Sequence, residues 1–523
     1  MSLTLSLNVP YYNNNFQMYN ALADIINVND ISANSNNRNV LRRDKISELF
    51  IRDEPFQNGE ENREDVVYCP EGVDDMGWLG YFAGKNEHIT ELYIGPFGWP
   101  TRRSIRDVIE PFFRGVSHNK SIQEIWFCLV DLFGGEMFTM LGPFFKNIHN
   151  LTAINVNSCV WGDEGARLFS LAIESITNHS LEEVHLNNPW PNDNIMAEEG
   201  MVDIITSLSM HPHLKRLHLN GNHLSKNGCV ALANLLRCSA KELQNLSIST
   251  TEINDDGIEA LVPALTTCYH LRTLYIANNP SITTRGWQRF ATNMWLLKAP
   301  NSNLEYLHVS NNNIDDEAVA SFASALTSNH TLQELRMWGN PFCYDEALAL
   351  FANALINNRT LRKLHLNDNP GTDVGRQAVS KVLCNTSSVN ATFVSNHTIQ
   401  YLSMGSNRTN VYDYEIIGPL LKLNRRDDKE AVATIKILQN HDDFDMQPFF
   451  EWEFKVLPMV LGWLERASAY EMPEDFEPNI DRRKLSTIYQ FVRGLPLLYV
   501  ETHLRKELED IKAEEKQMED EQS

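Results

Sequence analysis

Long apolar segments are missing from the sequence. The longest apolar run lies near residues 456–464 (VLPMVLGWL), far short of the ~20 residues that a membrane-spanning helix needs. The first ten residues, MSLTLSLNVP, have neither the basic start nor the apolar stretch of a secretory signal peptide. We therefore expect no membrane association and a cytoplasmic location, with the nucleus as a further compartment.

Cysteine is scarce, with eight residues in a chain of 523 and no Cys-x-x-Cys pair. Scattered cysteines at apolar positions of a repeat behave as small buried hydrophobes. Because no signal peptide directs the chain to an oxidising compartment, we expect reduced core thiols rather than disulfides.

Positive charge is in deficit, since 45 basic residues face 68 acidic ones and the net charge is −23. Phosphate contacts need a basic surface, so nucleic-acid binding is not expected. An acidic surface attracts a basic protein partner and raises the rate of encounter with it. The alternative is that the charge only keeps a large chain dissolved.

The signatures of catalytic and nucleotide-binding sites are also missing. Residues 80–86 (GYFAGKN) lack the spacing of a phosphate-binding loop, and no GxSxG, HExxH or kinase motif occurs. The acidic stretch at 441–449 (HDDFDMQPF) lacks the glycine and the closing glutamate of a calcium loop. We predict no catalytic residues, no cofactor and no metal site, so the chain is not expected to be an enzyme.

What the sequence does contain is a repeat of the form L-x-x-L-x-L-x-x-N-x-L, at intervals of 28 to 33 residues. Clear copies start at Leu214, Leu243, Leu271, Leu304, Leu332 and Leu361. Weaker copies start at Ile89, Ile122, Leu151, Leu181 and Val389. In each L-x-L the two apolar residues point to the same side of a strand, and the residue between them points to the other side.

Asparagine recurs at two positions of the repeat. After the strand stand Asn222, Asn279, Asn312, Asn340 and Asn369, which we expect to form a buried ladder with backbone groups of neighbouring repeats. A helical pattern follows, with Ser225, Asn254, Thr283 and Asp315 where an N-cap is needed. At the helix ends, Asn178, Asn329 and Asn358 are predicted to be left-handed C-caps.

Over about residues 75–400 these repeats resemble the ribonuclease-inhibitor-like class of leucine-rich repeat proteins. That class includes ribonuclease inhibitor, the GTPase-activating protein of Ran and the sensor arrays of nucleotide-binding immune receptors. The resemblance implies an α/β fold: a right-handed βα solenoid, or horseshoe, of about 11 repeats with the parallel sheet inside, helices outside and helical caps. It also implies binding of a protein partner.

The domain organisation follows from where the repeat starts and stops. We predict an N-terminal cap with a partly disordered segment at 1–74, the repeat array at 75–400, a helical C-terminal cap at 401–504 and an acidic charged tail at 505–523. Within the N-terminal cap, residues 3–9 are predicted to be an edge strand and 41–51 a short helix. Residues 75–87 are predicted to be a first helix that lacks its strand.

The candidate site is the concave face of the sheet. The residue inside each L-x-L is, in order, Tyr93, Trp126, Asn155, His185, His218, Ser247, Tyr275, His308, Arg336, His365 and Phe393. Two residues upstream stand Glu91, Glu124, Glu183, Arg216, Tyr306, Glu334 and Lys363. Aromatic, His and Arg side chains dominate interface hot spots, so we predict that the first two sets contain a partner-binding surface. The alternatives are a merely solvated face and a metal site at His185 and His218, which has too few ligands to be favoured.

Three tryptophans flanked by proline or glycine follow strands and are predicted to lie on one rim of the array. The predicted partner-binding residues are therefore Tyr93, Trp99, Trp126, His185, Trp190, His218, Tyr275, Tyr306, His308, Arg336, Trp338 and His365. An anchor held in place by proline loses little entropy on binding. The alternative is that each tryptophan packs under its own loop.

Three functions fit these observations. The first is a non-enzymatic scaffold that binds a protein through the concave face and one rim. The second is activation of a small GTPase, and the third is inhibition of a basic enzyme, although the many cysteines of ribonuclease inhibitor are missing here. No nucleic-acid or membrane partner is expected.

Overall fold

The fold is taken from a computed structural model of the chain. It describes residues 47–51, 66–68, 73–95, 102–128, 136–159, 162–188, 198–296, 303–342, 344–367, 374–403 and 413–441, together with Met459 and Gly462. Two compact units make up the chain, residues 1–325 and 326–523.

The first unit contains a parallel sheet in which nearly every strand is followed by a helix. Its strands are β1 (Glu48–Ile51), β2 (Val66–Tyr68), β3 (Glu91–Ile94), β4 (Glu124–Cys128), β5 (Ala153–Asn157), β6 (Glu183–Asn187), β7 (Arg216–His218), β8 (Asn245–Ser247), β9 (Thr273–Tyr275) and β10 (Tyr306–His308). From β3 onwards the strands pair in sequence order, and β1 lies between β2 and β3. Consecutive pairing is what a solenoid requires.

The helices of this unit are α1 (Val73–Lys85), α2 (Arg102–Val116), α3 (Glu136–Asn147), α4 (Gly162–Glu174), α5 (Glu198–Ser207), α6 (Lys226–Cys238), α7 (Asp255–Leu265), α8 (Thr284–Leu296) and α9 (Asp316–Leu326). A short 3-10 helix, Leu208–Met210, follows α5. Neighbouring helices from α1 to α8 pack on one another. Three of the four predicted N-caps act as such, because the side chains of Ser225, Asn254 and Asp315 each accept a backbone N–H of the first turn.

The second unit repeats the same design. Its strands β11 (Glu334–Arg336), β12 (Lys363–His365) and β13 (Tyr401–Ser403) pair in parallel and in sequence order. Its helices are α10 (Tyr344–Leu355), α11 (Val374–Leu383), α12 (Val389–Phe393), α13 (Asp413–Leu423) and α14 (Lys429–Asn440).

The core lies between the strand layer and the helix layer. Both apolar residues of an L-x-L are buried, as Leu217 and Leu219 of β7 and its following turn show, while His218 between them is only half-buried. Each repeat thus hides its leucines against its own helix and its neighbours. The predicted α/β solenoid of leucine-rich repeats is confirmed.

The asparagine ladder after the strands is confirmed at Asn222, Asn279 and Asn312, and Asn369 lies outside the described residues. Asn279 donates from Nδ2 to Ile248 O at 3.0 Å and accepts from Thr251 N at 3.0 Å, both in the preceding repeat. Asn312 donates to Ile276 O at 3.0 Å in the same manner. A buried amide with several partners is favourable only in a stack, so the ladder holds neighbouring repeats in register.

The prediction of left-handed C-caps was wrong. Backbone φ is positive at His179 (52°) and not at Asn178, Asn329 or Asn358. Instead, Asn358 accepts from Thr360 N and Leu361 N through Oδ1. Its Nδ2 donates to Leu326 O and Asn329 O, each at 2.9 Å. Asn358 and, one repeat later, Asn396 therefore form a second ladder at the turn from helix to strand.

Two predicted elements at the ends of the array were also wrong. Residues 48–51, predicted to be helical, form β1, because they pair with β3 and β2. Residues 389–393, predicted to be a strand, form α12, because Ser388 caps a helical turn by accepting from Ala391 N. The repeat there starts at Ile399 and its strand is β13.

The helix predicted at 75–87 is α1, and it does have a preceding strand, β2. The predicted strand at 3–9 lies outside the described residues. Among the helices that the structure describes, none combines the length and the apolarity needed to cross a bilayer.

Candidate functional site

Strand alternation places the residue inside each L-x-L on the sheet face opposite the helices. Strand register then aligns these residues across the first unit, since Tyr93 pairs with Trp126, Asn155 with His185, and Tyr275 with His308. We call the aligned set the central row. It consists of Tyr93, Trp126, Asn155, His185, His218, Ser247, Tyr275 and His308, which the sequence predicted.

Aromatic rings form the beginning of the row. Phe50 of β1 stacks on Tyr93 with ring centroids 4.1 Å apart and planes at 8°. Tyr93 in turn stacks on Trp126 at 5.4 Å and 17°. The ring faces are occupied by one another, so a partner would meet the edges of Tyr93 and Trp126.

Two carboxylates flank these rings. The Tyr93 hydroxyl donates to Glu91 Oε2 at 2.5 Å, and Trp126 Nε1 donates to Glu124 Oε2 at 3.3 Å. Burial and the hydrogen bond to Glu91 raise the pKa of Tyr93, so it stays a neutral donor. Burial and the nearby charge of Glu91 raise the pKa of Glu124.

Two stacked histidines occupy the middle of the row. The rings of His185 and His218 lie 4.1 Å apart at 20°. Burial, with a smaller effect of His218, lowers the pKa of His185 to about 4, and burial also lowers the pKa of His218. His218 Nε2 lies 3.1 Å from Asn245 Oδ1, which fixes this nitrogen as the protonated one. The pair is therefore neutral near pH 7.

A metal site was the alternative considered for this pair. Within the ranges given above, no group of three or more His, Cys, Asp or Glu side chains is arranged to hold a metal ion.

Three aromatic rings cluster at the other end of the row. Tyr275 lies 5.0 Å from Tyr306 and 5.8 Å from His308, measured between ring centroids. Tyr306 and His308 meet edge to face at 6.4 Å. All three side chains are half-buried, so their positions are held by packing while part of each ring stays accessible.

A line of side-chain amides beside the row was missed by the sequence reasoning. Asn187 donates to Asn157 Oδ1 at 3.0 Å, and Asn220 donates to Asn187 Oδ1 at 3.0 Å. Ser247 continues the line by donating to Asn220 Oδ1 at 2.7 Å. The signal was present in the sequence, because the three asparagines stand at the same place after L-x-L. The line ties Ser247 to the sheet, where it is buried.

In the second unit the predicted residues surround one carboxylate. Arg336 Nε lies 2.7 Å from Glu334 Oε1, Lys363 Nζ lies 3.1 Å from Oε2, and His365 Nε2 lies 3.4 Å from Oε1. Burial would raise the pKa of Glu334, but the hydrogen bonds from Arg336 and Lys363 outweigh burial and lower it. Burial, followed by the nearby Arg336 charge, lowers the pKa of His365 to about 4.

Some predicted residues fall elsewhere. Phe393 is exposed on α12 and does not belong to the sheet, so its assignment to the face was wrong. Tyr401 of β13 lies on this face, and its ring centroid is 4.6 Å from that of His365. The sequence analysis missed it because the last repeat starts later than predicted. Trp338 lies two residues beyond the end of β11 and is half-buried. Trp99 and Trp190 lie outside the described residues.

Comparison with known proteins agrees with this architecture. The family model described as "Leucine Rich repeat" matches residues 211–233, 301–323 and 357–380. "NACHT, LRR and PYD domains-containing protein 5" from Homo sapiens is 31% identical over 134 residues, which is 26% of this chain and 11% of that protein. "Leucine-rich repeat-containing protein 14" from Rattus norvegicus is 40% identical over 68 residues, which is 13% of this chain and 14% of that protein. The matches thus span only a small part of these relatives.

Two solved structures are also similar. "Leiomodin-1 Actin-Binding Site 2 (ABS2)" aligns with a TM-score of 0.26 and 17% identity, over 31% of this chain and 87% of that one. The complex of Rad7 and Elc1 in yeast aligns with a TM-score of 0.40 and 12% identity, over 66% of this chain and 77% of that one. Scores of this size do not establish a shared fold, which the strand order above defines independently.

The stacked strand–helix units, the asparagine ladder and the family model define one class of protein, the leucine-rich repeat proteins. This chain is a leucine-rich repeat protein. Proteins built from such arrays generally bind other macromolecules on the long face of the strand layer.

Proposed function

We propose that the chain is a non-enzymatic protein-binding scaffold, whose binding surface is the sheet face opposite the helices. The observation that carries the proposal is the composition of that face. In the first unit it presents half-buried aromatic and histidine side chains in register, from Tyr93 and Trp126 through His185 and His218 to Tyr275, Tyr306 and His308.

Side chains of these types contribute most of the energy of protein interfaces. Here stacking and hydrogen bonds already restrict them, so little rotamer entropy is lost when a partner binds. The neutral state of His185 and His218 also lowers the cost of covering the middle of the face, because no buried charge has to lose its water.

On the second unit, considered by itself, we propose Arg336, Trp338 and His365 as partner-binding residues, and Trp99 and Trp190 stay proposed from the sequence alone. We also propose that the array belongs to the ribonuclease-inhibitor-like subclass. The helix that follows nearly every strand supports this assignment. The cytoplasm, and the nucleus as a further compartment, are the proposed locations.

The test is affinity capture of the full chain from its own cells, followed by quantitative mass spectrometry of three forms. Besides the unchanged chain, these are Tyr275→Ser/Tyr306→Ser on the proposed face and Tyr269→Ser, which alters a tyrosine that is 48% exposed away from the row. We expect a partner that the unchanged chain and Tyr269→Ser retain and the double variant loses. Equal retention by all three would refute this face as the binding surface.

Activation of a small GTPase and inhibition of a basic enzyme stay narrower predictions. A GTP-hydrolysis assay with a panel of small GTPases tests the first, and an absence of stimulation would remove it. Inhibition of a basic enzyme requires that raised salt weakens the complex, because the attraction is electrostatic.

A further inference from the structure

Two adjacent strands of the first unit bring four side chains together on the proposed face. Glu91 of β3 pairs in register with Glu124 of β4, and Tyr93 pairs with Trp126. We call these four residues the β3–β4 patch. Since facing residues of neighbouring parallel strands lie ~5 Å apart, the two carboxylates are close neighbours.

Each carboxylate accepts one hydrogen bond within the patch. Oε2 of Glu91 accepts from Tyr93, and Oε2 of Glu124 accepts from Trp126. No lysine, arginine or histidine of the described ranges forms an ion pair with either glutamate. Two half-buried negative charges therefore stand side by side without a cation from that part of the chain.

In two other repeats, the glutamate at the position of Glu91 and Glu124 forms an ion pair with the next strand. Glu183 forms an ion pair with Arg216 of the next strand, and Glu334 forms one with Lys363 of the next strand. Next to Glu124, however, the register places Ala153. Within the described ranges Glu124 forms no ion pair with the next strand, although the charge of Arg216 acts on it at longer range and lowers its pKa. The short side chain of Ala153 takes up little of the room beside Glu124.

A third acceptor borders the patch. Asn155 pairs with Trp126 in the central row, so its side chain lies on the same face. The residue is 1% exposed, and its Oδ1 accepts no hydrogen bond from the described residues. An unsatisfied buried acceptor is costly, and a donor from a bound partner would remove that cost.

Resting on the proposed function, we infer that the β3–β4 patch receives a basic segment of the protein partner, with an arginine side chain set between Glu91 and Glu124. A guanidinium carries five N–H donors in a plane and can bridge the two carboxylates, which a single ammonium does less well.

The test uses the full chain and a fluorescein-labelled dodecapeptide of alternating arginine and serine, with fluorescence anisotropy as the readout. The patch variant is Glu91→Gln/Glu124→Gln, which keeps the acceptors for Tyr93 and Trp126. The control variant is Glu174→Gln/Glu199→Gln, which removes the same charge from exposed positions of α4 and α5. Melting curves that overlay within error establish that both variants are folded.

We expect the patch variant to bind the peptide at least ~10-fold more weakly, and the control variant to stay within about 2-fold of the unchanged chain. A peptide with lysine in place of arginine should bind several-fold more weakly than the arginine peptide to the unchanged chain. Equal weakening by both double variants would overturn the inference, since it would mean general attraction by acidic charge. Saturable binding of Ca²⁺ that displaces the peptide would overturn it in favour of a metal site.

Failure of this inference can be told apart from failure of the proposed function. If Tyr275→Ser/Tyr306→Ser loses the captured partner but the patch variant retains it and binds the peptide as tightly as the unchanged chain, the face binds protein and the arginine site is wrong. If the patch variant loses both the peptide and the captured partner, the inference is supported on the same partner.

Discussion

At the scale of single residues, the fold depends on buried polar side chains that connect one repeat to the next. Asn358 has no exposed surface, and all of its amide atoms are engaged. Asn396 does the same one repeat later, donating to Leu355 O and Asn358 O. Such residues are satisfied only if the neighbouring repeat is folded, so they couple the repeats energetically.

Replacing Asn358 by aspartate should therefore destabilise the protein. The change keeps the oxygen that accepts from Thr360 and Leu361 but places a carboxylate oxygen against the carbonyls of Leu326 and Asn329. We expect a loss of about 3 kcal/mol in the free energy of unfolding, from denaturant titration followed by circular dichroism. Asn390→Asp, at an exposed position of α12, is the control. A similar small loss in both variants would contradict the ladder's role.

Lys436 is a second buried polar residue, and it gives the stability a pH dependence. Its Nζ is fully buried and donates to Leu383 O at 2.7 Å, Asn424 Oδ1 at 2.8 Å and His397 Nδ1 at 3.0 Å. Burial lowers the pKa of Lys436 from 10.5 to about 7. The titratable groups that act on it are Cys384, Lys429 and Arg359, and none of them is a carboxylate.

Because the pKa of Lys436 is lower in the folded state, the unfolded state binds more protons between pH 7 and pH 10.5. Stability contributed by this group is therefore present at high pH and is lost as the pH falls towards 7. We expect the free energy of unfolding to rise between pH 7 and 9 by up to about 1 kcal/mol per pH unit, and Lys436→Met to flatten that rise. The upper limit avoids Cys384, whose pKa burial raises and whose ionisation acts in the opposite direction. A slope that persists in Lys436→Met would assign the effect to other groups.

At the scale of elements, α1 and α2 approach so closely that only glycine fits between them. A Cβ on Gly80 would lie 2.4 Å from Phe112 O, and one on Gly115 would lie 2.3 Å from the carbonyl carbon of Gly80. Both contacts involve backbone, which cannot move aside without separating the helices. These glycines set the distance between the first two helices of the array.

Gly115→Ala should thus force α1 away from α2 and lower the thermal midpoint, at a cost of about 3 kcal/mol. Gly142→Ala in α3 is the matched control, because a Cβ there meets nothing within 4 Å. Alanine favours helix over glycine, so the control should be neutral or more stable by up to about 1 kcal/mol. Equal midpoints for the two variants in differential scanning calorimetry would show that the helices can separate at little cost.

Some strands and face positions could be predicted from the sequence, and others could not. The period of two in L-x-L placed Tyr93, His218 and Tyr275 correctly, because side-chain alternation along a strand is a local property of the backbone. β1 was missed because its pairing with β3 joins residues 43 apart, which nothing within residues 48–51 reveals. The last repeat was misplaced because α12 lengthens it, and a pattern read at constant period assigned Phe393 to the face that Tyr401 and Ser403 occupy.

The asparagines at the helix ends illustrate a different limit. Their recurrence could be read from the sequence, but the choice between a left-handed backbone and a side-chain ladder depends on carbonyls supplied by the preceding repeat. Asn358 finds these carbonyls at Leu326 and Asn329, so tertiary contacts decide the backbone conformation. Ring stacking between His185 and His218 and the orphan acceptor of Asn155 likewise depend on neighbours several tens of residues away.

At the scale of the whole molecule, the net charge of −23 has two explanations that differ in kinetics. If the acidity attracts a basic partner, it acts before contact and appears in the association rate. If it only prevents aggregation, the association rate should hardly respond to salt. The predicted boundaries at residues 74, 400 and 504 stay predictions and do not affect this distinction.

Stopped-flow association of the arginine–serine dodecapeptide with the full chain separates the two explanations. Raising the ionic strength from ~0.02 to ~0.5 M shortens the Debye length to a few ångströms, so attraction beyond the contact distance is lost. We expect the association rate constant to fall at least ~10-fold while the dissociation rate constant changes less. The variant Glu174→Gln/Glu199→Gln should show nearly the same salt dependence, because two charges out of 68 acidic residues alter the long-range field only slightly. An association rate constant that is indifferent to salt would leave the acidity with a role in solubility alone, and would confine any selectivity for basic segments to the short-range contacts of Glu91 and Glu124.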